Sequence, residues 1–322
     1  MTSEVEYIKL KVDGLLDLDM LANEYHIPKH TLIDFHNKHC EISEILPLFL
    51  PKYVPFVYLP KSNFESRNTL LIPNSTLTYP VGKSEKNYGV VIKYLHSDVQ
   101  MHFEVHIKKE NNIVEINKKK TFVNNKEIEN LIEKLYETSQ QAIYPLRVAM
   151  RSNGSFSEIV NQEEISERWR NSYLPKLKEY YVSPTAEEIL SRMNEIFKNI
   201  NQNKDFFYQS VFYKLFFHPV YQSYSGFTKS GHLQFYFANI QRYISYEIDY
   251  YLNREYTRGT KIALQIKGNE TGNIPTDDQN KGKIDFLYKF RKDTNELFSI
   301  TGSASTFDNG KELKIEFQLF EI

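Results

Sequence analysis

The sequence predicts an α+β fold, with a small strand–helix–helix–strand module ahead of a larger domain of antiparallel sheet. Three patterns predict it. Short segments that alternate between apolar and polar residues fill the stretch 75–160, and similar segments return over 230–322. Between them, over 161–220, apolar residues repeat at helical spacing. We therefore expect a split sheet or half-barrel packed on a helical middle segment.

The chain length favours two domains. It has 322 residues, and a domain commonly spans about 150. We place the N-terminal module at 1–62, a linker at 63–74 and the larger domain at 75–322. The 22 Phe and 23 Tyr residues can fill a large core, with tyrosine hydroxyls left for rims and interfaces.

The N-terminal module begins with a short strand-like segment, Tyr7–Val12. Leu21 and Tyr25 then fall at helical spacing, and Pro28 can occupy the first turn of a second helix, where its missing N–H costs nothing. The segment 45–60 is apolar but is broken repeatedly by proline. It can therefore be neither a helix nor a central strand.

The larger domain opens with three strand-like segments and one amphipathic helix. The strands are Tyr88–Leu95, Val99–Lys108 and Ile113–Ile116, and the helix is Lys126–Ile143. A mainly helical stretch from Glu163 to Phe217 follows, in about three pieces that Pro175 and Pro184 interrupt. The last third reads as an antiparallel meander with turn residues between its strands. We expect the two β regions to join in one sheet.

Charge and cysteine usage narrow the function classes. The formal net charge is −1, from 40 basic and 41 acidic side chains, whereas nucleic-acid-binding proteins normally show a basic excess or stripe. No stretch approaches the roughly 20 apolar residues of a membrane helix, and the start lacks a secretory signal. The single cysteine, Cys40, excludes an internal disulfide. We therefore expect a cytoplasmic protein, unless another machine exports it, that binds neither nucleic acid nor membrane.

Catalytic motifs are absent from the sequence. It contains no G-x-S-x-G nucleophile elbow and neither of the glycine-rich phosphate-loop fingerprints. The lone cysteine has no diagnostic surrounding motif. These observations predict a protein that is not an enzyme and that carries no cofactor.

Two histidine clusters are weak candidates for a metal site. His102, Glu104 and His106 share one face of a predicted strand and could hold a divalent metal. Same-face neighbours on a strand lie about 7 Å apart, however, and a solvated polar face explains the same pattern. His36 and His39, beside the cysteine, form a second cluster, but no second cysteine-rich half completes a zinc site.

Four short motifs near the start of the chain recur in a known order. They are Tyr7-Ile8-Lys9, Leu21-Ala22-Asn23-Glu24-Tyr25, Leu32-Ile33-Asp34-Phe35-His36-Asn37 and Val57-Tyr58-Leu59-Pro60. Together they resemble the LysM module, a βααβ frame that binds N-acetylglucosamine polymers. The resemblance implies two outer strands and two inner helices, with Leu70-Leu71-Ile72-Pro73 as a rival to Val57–Pro60 for the closing strand.

The departures from the LysM pattern bear on the ligand. The family's Gly-Asp-Thr turn helps to line its glycan groove, and Asp13-Gly14-Leu15 stands in that place here. The resemblance implies, as one alternative, glycan binding at Asp13, Gly14, Leu15 and Asn37. After the second helix this chain has a proline-rich apolar insertion where the family has a short polar loop. That insertion favours a protein partner, held by Leu48, Phe49, Tyr53, Phe56 and Tyr58.

The whole chain also resembles uncharacterised LysM-bearing proteins of Bacteroidota that are associated with contractile injection or type VI secretion loci. The resemblance implies a non-catalytic cytoplasmic adaptor or chaperone that binds a spike-tip or effector component of such a machine. One alternative is a peptidoglycan-binding protein that acts after machine-mediated export. The other is a secreted toxin or hydrolase whose site the sequence motifs do not reveal.

Overall fold

A computed structural model gives the fold. It describes residues 7–12, 16–25, 27–46, 54–60, 72, 74–203, 205–257, 261–271 and 281–322. The chain forms two compact units, Met1–Leu71 and Ile72–Ile322. Helices hold 28% and strands 44% of the residues, and a large antiparallel sheet is present, which confirms the predicted α+β class.

The first unit has the order strand, helix, helix, strand. Its elements are β1 (Tyr7–Lys11), α1 (Leu18–Glu24), α2 (Lys29–His39), a 3₁₀ turn (Ile42–Glu44) and β2 (Phe56–Pro60). Strands β1 and β2 pair antiparallel, with Lys9 opposite Tyr58. Pro28 immediately precedes α2, as its missing N–H favours. Leu32 and Val57 are fully buried where the helices pack on the strand pair.

The second unit contains one large sheet. Within the described ranges it has thirteen strands: β3 (Lys83–Tyr94), β4 (Val99–Glu110), β5 (Ile113–Lys118), β6 (Phe122–Val123), β7 (Lys126–Glu127), β8 (Leu146–Met150), β9 (Phe156–Ile159), β10 (Thr228–Phe237), β11 (Arg242–Leu252), β12 (Lys261–Thr271), β13 (Lys283–Arg291), β14 (Leu297–Asp308) and β15 (Lys311–Glu321). Alternation of buried and exposed residues along these strands explains their formation, because one face packs on a core and the other meets water.

The strand order in this sheet is β10-β11-β12-β13-β14-β15-β3-β4-β5-β8-β9, with β6 and β7 as a small hairpin beside β4. All pairs along this path are antiparallel. The two β regions meet where β15 pairs with β3, for example Phe317 opposite Ile92. The prediction that the two regions join in one sheet is therefore confirmed.

The helices of this unit are α3 (Leu131–Gln141), α4 (Gln162–Arg168), α5 (Leu174–Tyr180), α6 (Pro184–Lys198), α7 (Asp205–Gln209) and α8 (Val211–Phe216). Pro184 begins α6, as predicted. The expected interruption at Pro175 is wrong, because a π turn over Trp169–Tyr173 joins α4 to α5 directly. The wider π turn accommodates the proline ring at the start of α5. Among the described residues, no helix combines the length and apolar character needed to span a membrane.

Helix α3 begins five residues later than the sequence predicts. Asn124 and Asn125 have φ angles of 49° and 62°, the left-handed region that tight hairpin turns use, and they connect β6 to β7. Asn130 then caps α3, since its Oδ1 accepts the N–H of Ile132 at 3.0 Å. Asparagine turn chemistry therefore decides where this helix begins.

Buried tyrosines hold the helical segment to the sheet. The hydroxyl of Tyr288, on β13, donates to the carbonyl of Leu215 on α8 at 2.9 Å. A second buried tyrosine acts within the sheet itself: the hydroxyl of Tyr246, on β11, donates to the carbonyl of Ser305, on β14, at 2.7 Å. Each ring fills apolar volume while its hydroxyl satisfies a buried backbone carbonyl, which leaves no polar group unpaired there.

Candidate functional site

A cation and two aromatic rings lie together on the strand pair of the first unit. Register places Lys9 of β1 opposite Tyr58 and Lys11 opposite Phe56 of β2. The Nζ atom of Lys9 lies 4.1 Å from the centroid of the Phe56 ring and 5.4 Å from that of Tyr58. Both distances are within the range of a cation–π interaction. Antiparallel pairing therefore brings together side chains that are separated by about fifty positions in sequence.

The aromatic surface continues onto the end of α2. Tyr7 packs edge-on against Tyr58, with ring centroids 5.1 Å apart, and lies 5.7 Å from His39. His39 in turn stacks on Phe35, one helical turn earlier, with centroids 4.2 Å apart. Tyr7 is exposed, and Phe35, His39, Phe56 and Tyr58 are half-buried. We name these five rings and Lys9 the aromatic strip.

The buried side chain of His36 fixes the position of the strip. Its side chain is fully buried, its Nε2 lies 3.0 Å from the carbonyl of Glu44, and its Nδ1 accepts the N–H of Tyr58 at 3.2 Å. A carbonyl can only accept and an N–H can only donate, so the imidazole is neutral with its proton on Nε2. The His36 ring thus connects α2, the 3₁₀ turn and β2. These bonds fix the position of Tyr58 relative to α2.

Asn37 holds the chain just before the predicted binding loop. Its Nδ2 donates to the carbonyl of Leu46 at 3.0 Å, and its Oδ1 accepts the N–H of Leu46 at 2.8 Å. Leu46 and Val54 are both buried in the core of the unit. The amide of Asn37 is therefore used in fixing the backbone at Leu46, which gives this side chain a structural role.

Several predicted site residues fall outside the described ranges. They are Leu48, Phe49 and Tyr53 of the partner-binding set and Asp13, Gly14 and Leu15 of the glycan-binding set. Of the partner-binding set, Phe56 and Tyr58 are described, and the structure brings them together. Sequence reasoning missed the rings at positions 7, 35 and 39 and the lysine at position 9 as members of the same surface.

The weak metal candidates on β4 do not converge. His102 stacks on a neighbouring phenylalanine ring. Glu104 lies 2.6 Å from the Nζ of Lys119, and the Nε2 of His106 lies 3.0 Å from Glu85. Within the described part of the chain, no group of three or more His, Cys, Asp or Glu side chains is arranged to hold a metal ion. The three side chains that share one strand face therefore make separate contacts, one ring stack and two polar pairs.

The larger unit contains a half-buried ion cluster around Lys86. The Nζ of Lys86 lies 3.1 Å from Glu296 and 3.3 Å from Glu321, and Arg291 lies 2.7 Å from Glu321. A cavity of about 70 Å³ adjoins it. Burial acts to raise the pKa of Glu296, but hydrogen bonds from a serine and from Lys86 outweigh it and lower the pKa. A general acid needs a raised pKa, so this geometry favours a structural ion network.

The chain matches no protein-family model. It also matches no curated protein.

The β10–β11 hairpin has one buried and one exposed aromatic face. Tyr246 and Tyr250 point into the core, whereas Tyr243 and Tyr251 remain about four-tenths exposed. The rings of Tyr236 and Tyr243 pack against each other across the hairpin, with centroids 5.0 Å apart. The exposed tyrosines follow the alternation of the strand, so they need no partner to explain them.

Proposed function

We propose that this chain is a non-catalytic adaptor or chaperone that holds a protein partner through the aromatic strip. The observation that carries the proposal is the continuous run of rings, with Lys9 across two of them, on a unit of about seventy residues. Large aromatic side chains are enriched at the centres of protein interfaces, where they supply apolar area and keep a polar edge.

The chemistry of the strip favours a protein over a nucleic acid or a metal. Two lysines, Lys9 and Lys11, lie on the strand face of the strip, and the formal net charge of the whole chain is −1. A phosphate backbone would require several cations on one face. The two hydrogen bonds of Asn37 to Leu46 also support a scaffold role for the residue that the LysM resemblance assigns to a glycan.

The LysM resemblance supplies the identity of the proposed partner. The order strand, helix, helix, strand with paired outer strands supports a LysM-like frame over residues 7–60. The whole-chain sequence resemblance is to LysM-bearing proteins associated with contractile injection loci, so we propose a spike-tip or effector component as the partner. The chain then acts in the cytoplasm and travels outward only if its machine exports it.

Complex formation with the products of neighbouring genes tests this proposal. Each candidate is co-expressed with the full chain, and the dissociation constant of any complex is measured for wild type and variants. Tyr58→Asp and Lys9→Glu change the strip, and Met20→Asp is the matched control, since Met20 is 66% exposed on α1. We expect Tyr58→Asp to weaken binding about thirtyfold or more, as for a central aromatic anchor, and Met20→Asp to have no effect.

Two other outcomes would contradict an adaptor role. If no neighbouring product binds, and the chain sediments with peptidoglycan sacculi in a way that Tyr58→Asp abolishes, the strip is a glycan platform. If expression is toxic and one His or Glu substitution removes the toxicity, the chain is a toxin or hydrolase. Circular dichroism of each variant separates loss of binding from loss of folding.

A further inference from the structure

The side chain of Lys109 occupies a core-facing position on β4. Val105 and Ile107 share its strand face and are buried. Lys109 is itself only 9% exposed, and the sheet register places it opposite Ser84 of β3 and Val114 of β5. The strand alternation therefore puts a cation where an apolar residue is usual, and a buried charge needs a compensating partner.

The ammonium group of Lys109 is only partly compensated. It donates to the carbonyl of Pro80, its Nζ lies 4.3 Å from the centroid of the Tyr79 ring, and within the described ranges it forms no ion pair. Burial lowers the pKa of Lys109, and the charge of Glu296 opposes this shift without cancelling it. Since an ammonium has three N–H donors, at least one remains for a ligand.

The cavity of about 70 Å³ beside the ion cluster adjoins this ammonium. Its apolar wall includes Ile107, Val114, Met150, Phe216 and Phe290. At roughly 15–30 Å³ for each water molecule, the cavity suits a ligand of about three to five non-hydrogen atoms. Ser84 and Lys109 also line the polar surface outside the cavity, so they stand between the cavity and water.

The polar side chains of the wall leave two donors for a ligand. Three tyrosine hydroxyls already donate to backbone carbonyls, and they belong to Tyr88, Tyr221 and Tyr288. Ser84 and Lys86 both donate to the carboxylate of Glu296. The ammonium of Lys109 and the hydroxyl of Tyr79 are left. Burial raises the pKa of Tyr79 to about 12, so this hydroxyl keeps its proton at neutral pH. Two neighbouring donors favour an anion.

The charges around the cavity leave one positive charge over. Three cations and two carboxylates lie there, and they are Lys86, Lys109, Arg291, Glu296 and Glu321. Lys86 lies within 3.3 Å of both carboxylates, and Arg291 lies 2.7 Å from Glu321. The charge left over is therefore that of Lys109. A monoanion would cancel it, whereas a dianion would leave a negative charge in its place.

We propose that this cavity binds a small monocarboxylate of about two or three carbons, which matches its volume. The carboxylate accepts from the ammonium of Lys109 and the hydroxyl of Tyr79, and the alkyl part packs on Val114 and Met150. An inorganic anion such as chloride would meet the charge but leave the apolar wall without contacts. The site lies wholly within Ile72–Ile322 and does not depend on the aromatic strip.

Equilibrium dialysis of the full chain against radiolabelled propionate, at constant ionic strength, tests the site. We expect one bound equivalent with a dissociation constant of about 1 mM or lower, and competition by unlabelled acetate. Propionamide has nearly the same shape without the charge, and hexanoate is too long for the cavity. Each of them, and chloride, should compete at least about tenfold less well than unlabelled propionate.

Three variants locate the ligand. Lys109→Met keeps a side chain of similar length, removes the charge and should weaken propionate binding about tenfold or more. Tyr79→Phe removes one hydroxyl and should weaken it about fivefold. Tyr79 is only half-buried, so this variant should fold even if Lys109→Met does not. Lys108→Met is the matched control, since Lys108 is exposed on the opposite face of β4, and it should change nothing.

Several results would overturn the carboxylate site. No saturable binding up to about twentyfold above the expected dissociation constant would show that the cavity holds water only. Equal competition by propionamide would remove the role of the charge, by hexanoate would place binding outside the cavity, and by chloride would indicate a general anion site. Binding that Lys109→Met or Tyr79→Phe leaves unchanged would refute the assigned donors. Tyr58→Asp should leave propionate binding intact, so a failure of the aromatic strip and a failure of this site give different results.

Discussion

The buried imidazole of His36 gives the sharpest test of the first unit. His36→Phe keeps a flat ring of similar size in the site but removes both ring nitrogens. The carbonyl of Glu44 and the N–H of Tyr58 then lose the partners that lie 3.0 and 3.2 Å away. The substitution therefore isolates the hydrogen bonds from the packing of the ring.

The expected loss in the free energy of unfolding comes from leaving two buried backbone groups without hydrogen-bond partners. An unsatisfied buried polar group costs about 1–3 kcal/mol, so two cost roughly 2–6 kcal/mol if neither reaches water. A unit of about seventy residues has a free energy of unfolding of roughly 4–10 kcal/mol. The substitution should therefore remove a large share of the stability of this unit and leave the other unit unchanged.

Amide hydrogen exchange of the full chain measures the effect unit by unit. Protected amides of β1, α2 and β2 should exchange about thirtyfold faster or more, since 1.4 kcal/mol is tenfold. The control is His30→Phe, the same change on the same helix at an exposed position. If the two variants exchange alike, His36 does not hold β2 to α2 and the account of the strip is wrong.

Two further predictions concern the core of the larger unit. Burial first, and the nearby Lys214 cation second, lower the pKa of His218 to about 3. Below pH 6.5 the unfolded chain therefore binds a proton that the folded chain does not, and the free energy of unfolding should fall by about 2 kcal/mol from pH 7.5 to pH 5.0. Urea titrations at both pH values check this, and an equal loss in His218→Gln would refute the assignment. The hydroxyls of Tyr144 and Tyr213 lie 2.6 Å apart, so Tyr213→Phe should cost about 1–3 kcal/mol. The double change to Phe should cost less than the two single changes added together, and a purely additive result in thermal unfolding would show that the two hydroxyls are not coupled.

Local patterns in the sequence predict much of this fold. Alternating residues identify the long strands, and Pro184 marks the start of α6, because these signals act over a few positions. The start of α3 and the join at Pro175 are missed. Both depend on backbone geometry, the left-handed Asn124-Asn125 turn and the π turn, which compete with the helical pattern and leave no periodic signal.

The candidate site is only partly predictable for a different reason. Phe56 and Tyr58 are visible in the apolar insertion, but their neighbours Tyr7 and His39 join them only through strand register and one helical turn. The ion cluster is even harder to predict from local sequence, since Lys86 and Glu321 are 235 positions apart. No local motif marks residues whose proximity depends on how distant strands pair.

The position of β15 in the sheet has a consequence for synthesis. This strand, Lys311–Glu321, lies between β14 and β3. One edge of β3, the first long strand of the unit, therefore stays unpaired until β15 has been synthesised. Ribosomes add about 5–20 residues per second, so β3 keeps an open edge for roughly ten seconds or more while the intervening chain emerges. During synthesis both halves of the sheet therefore expose unpaired strand edges. We expect a holdase chaperone to bind such a nascent chain. Stalling translation just before residue 311 should therefore give a ribosome-bound chain that proteases still cut in β3, and release of the stall should protect it.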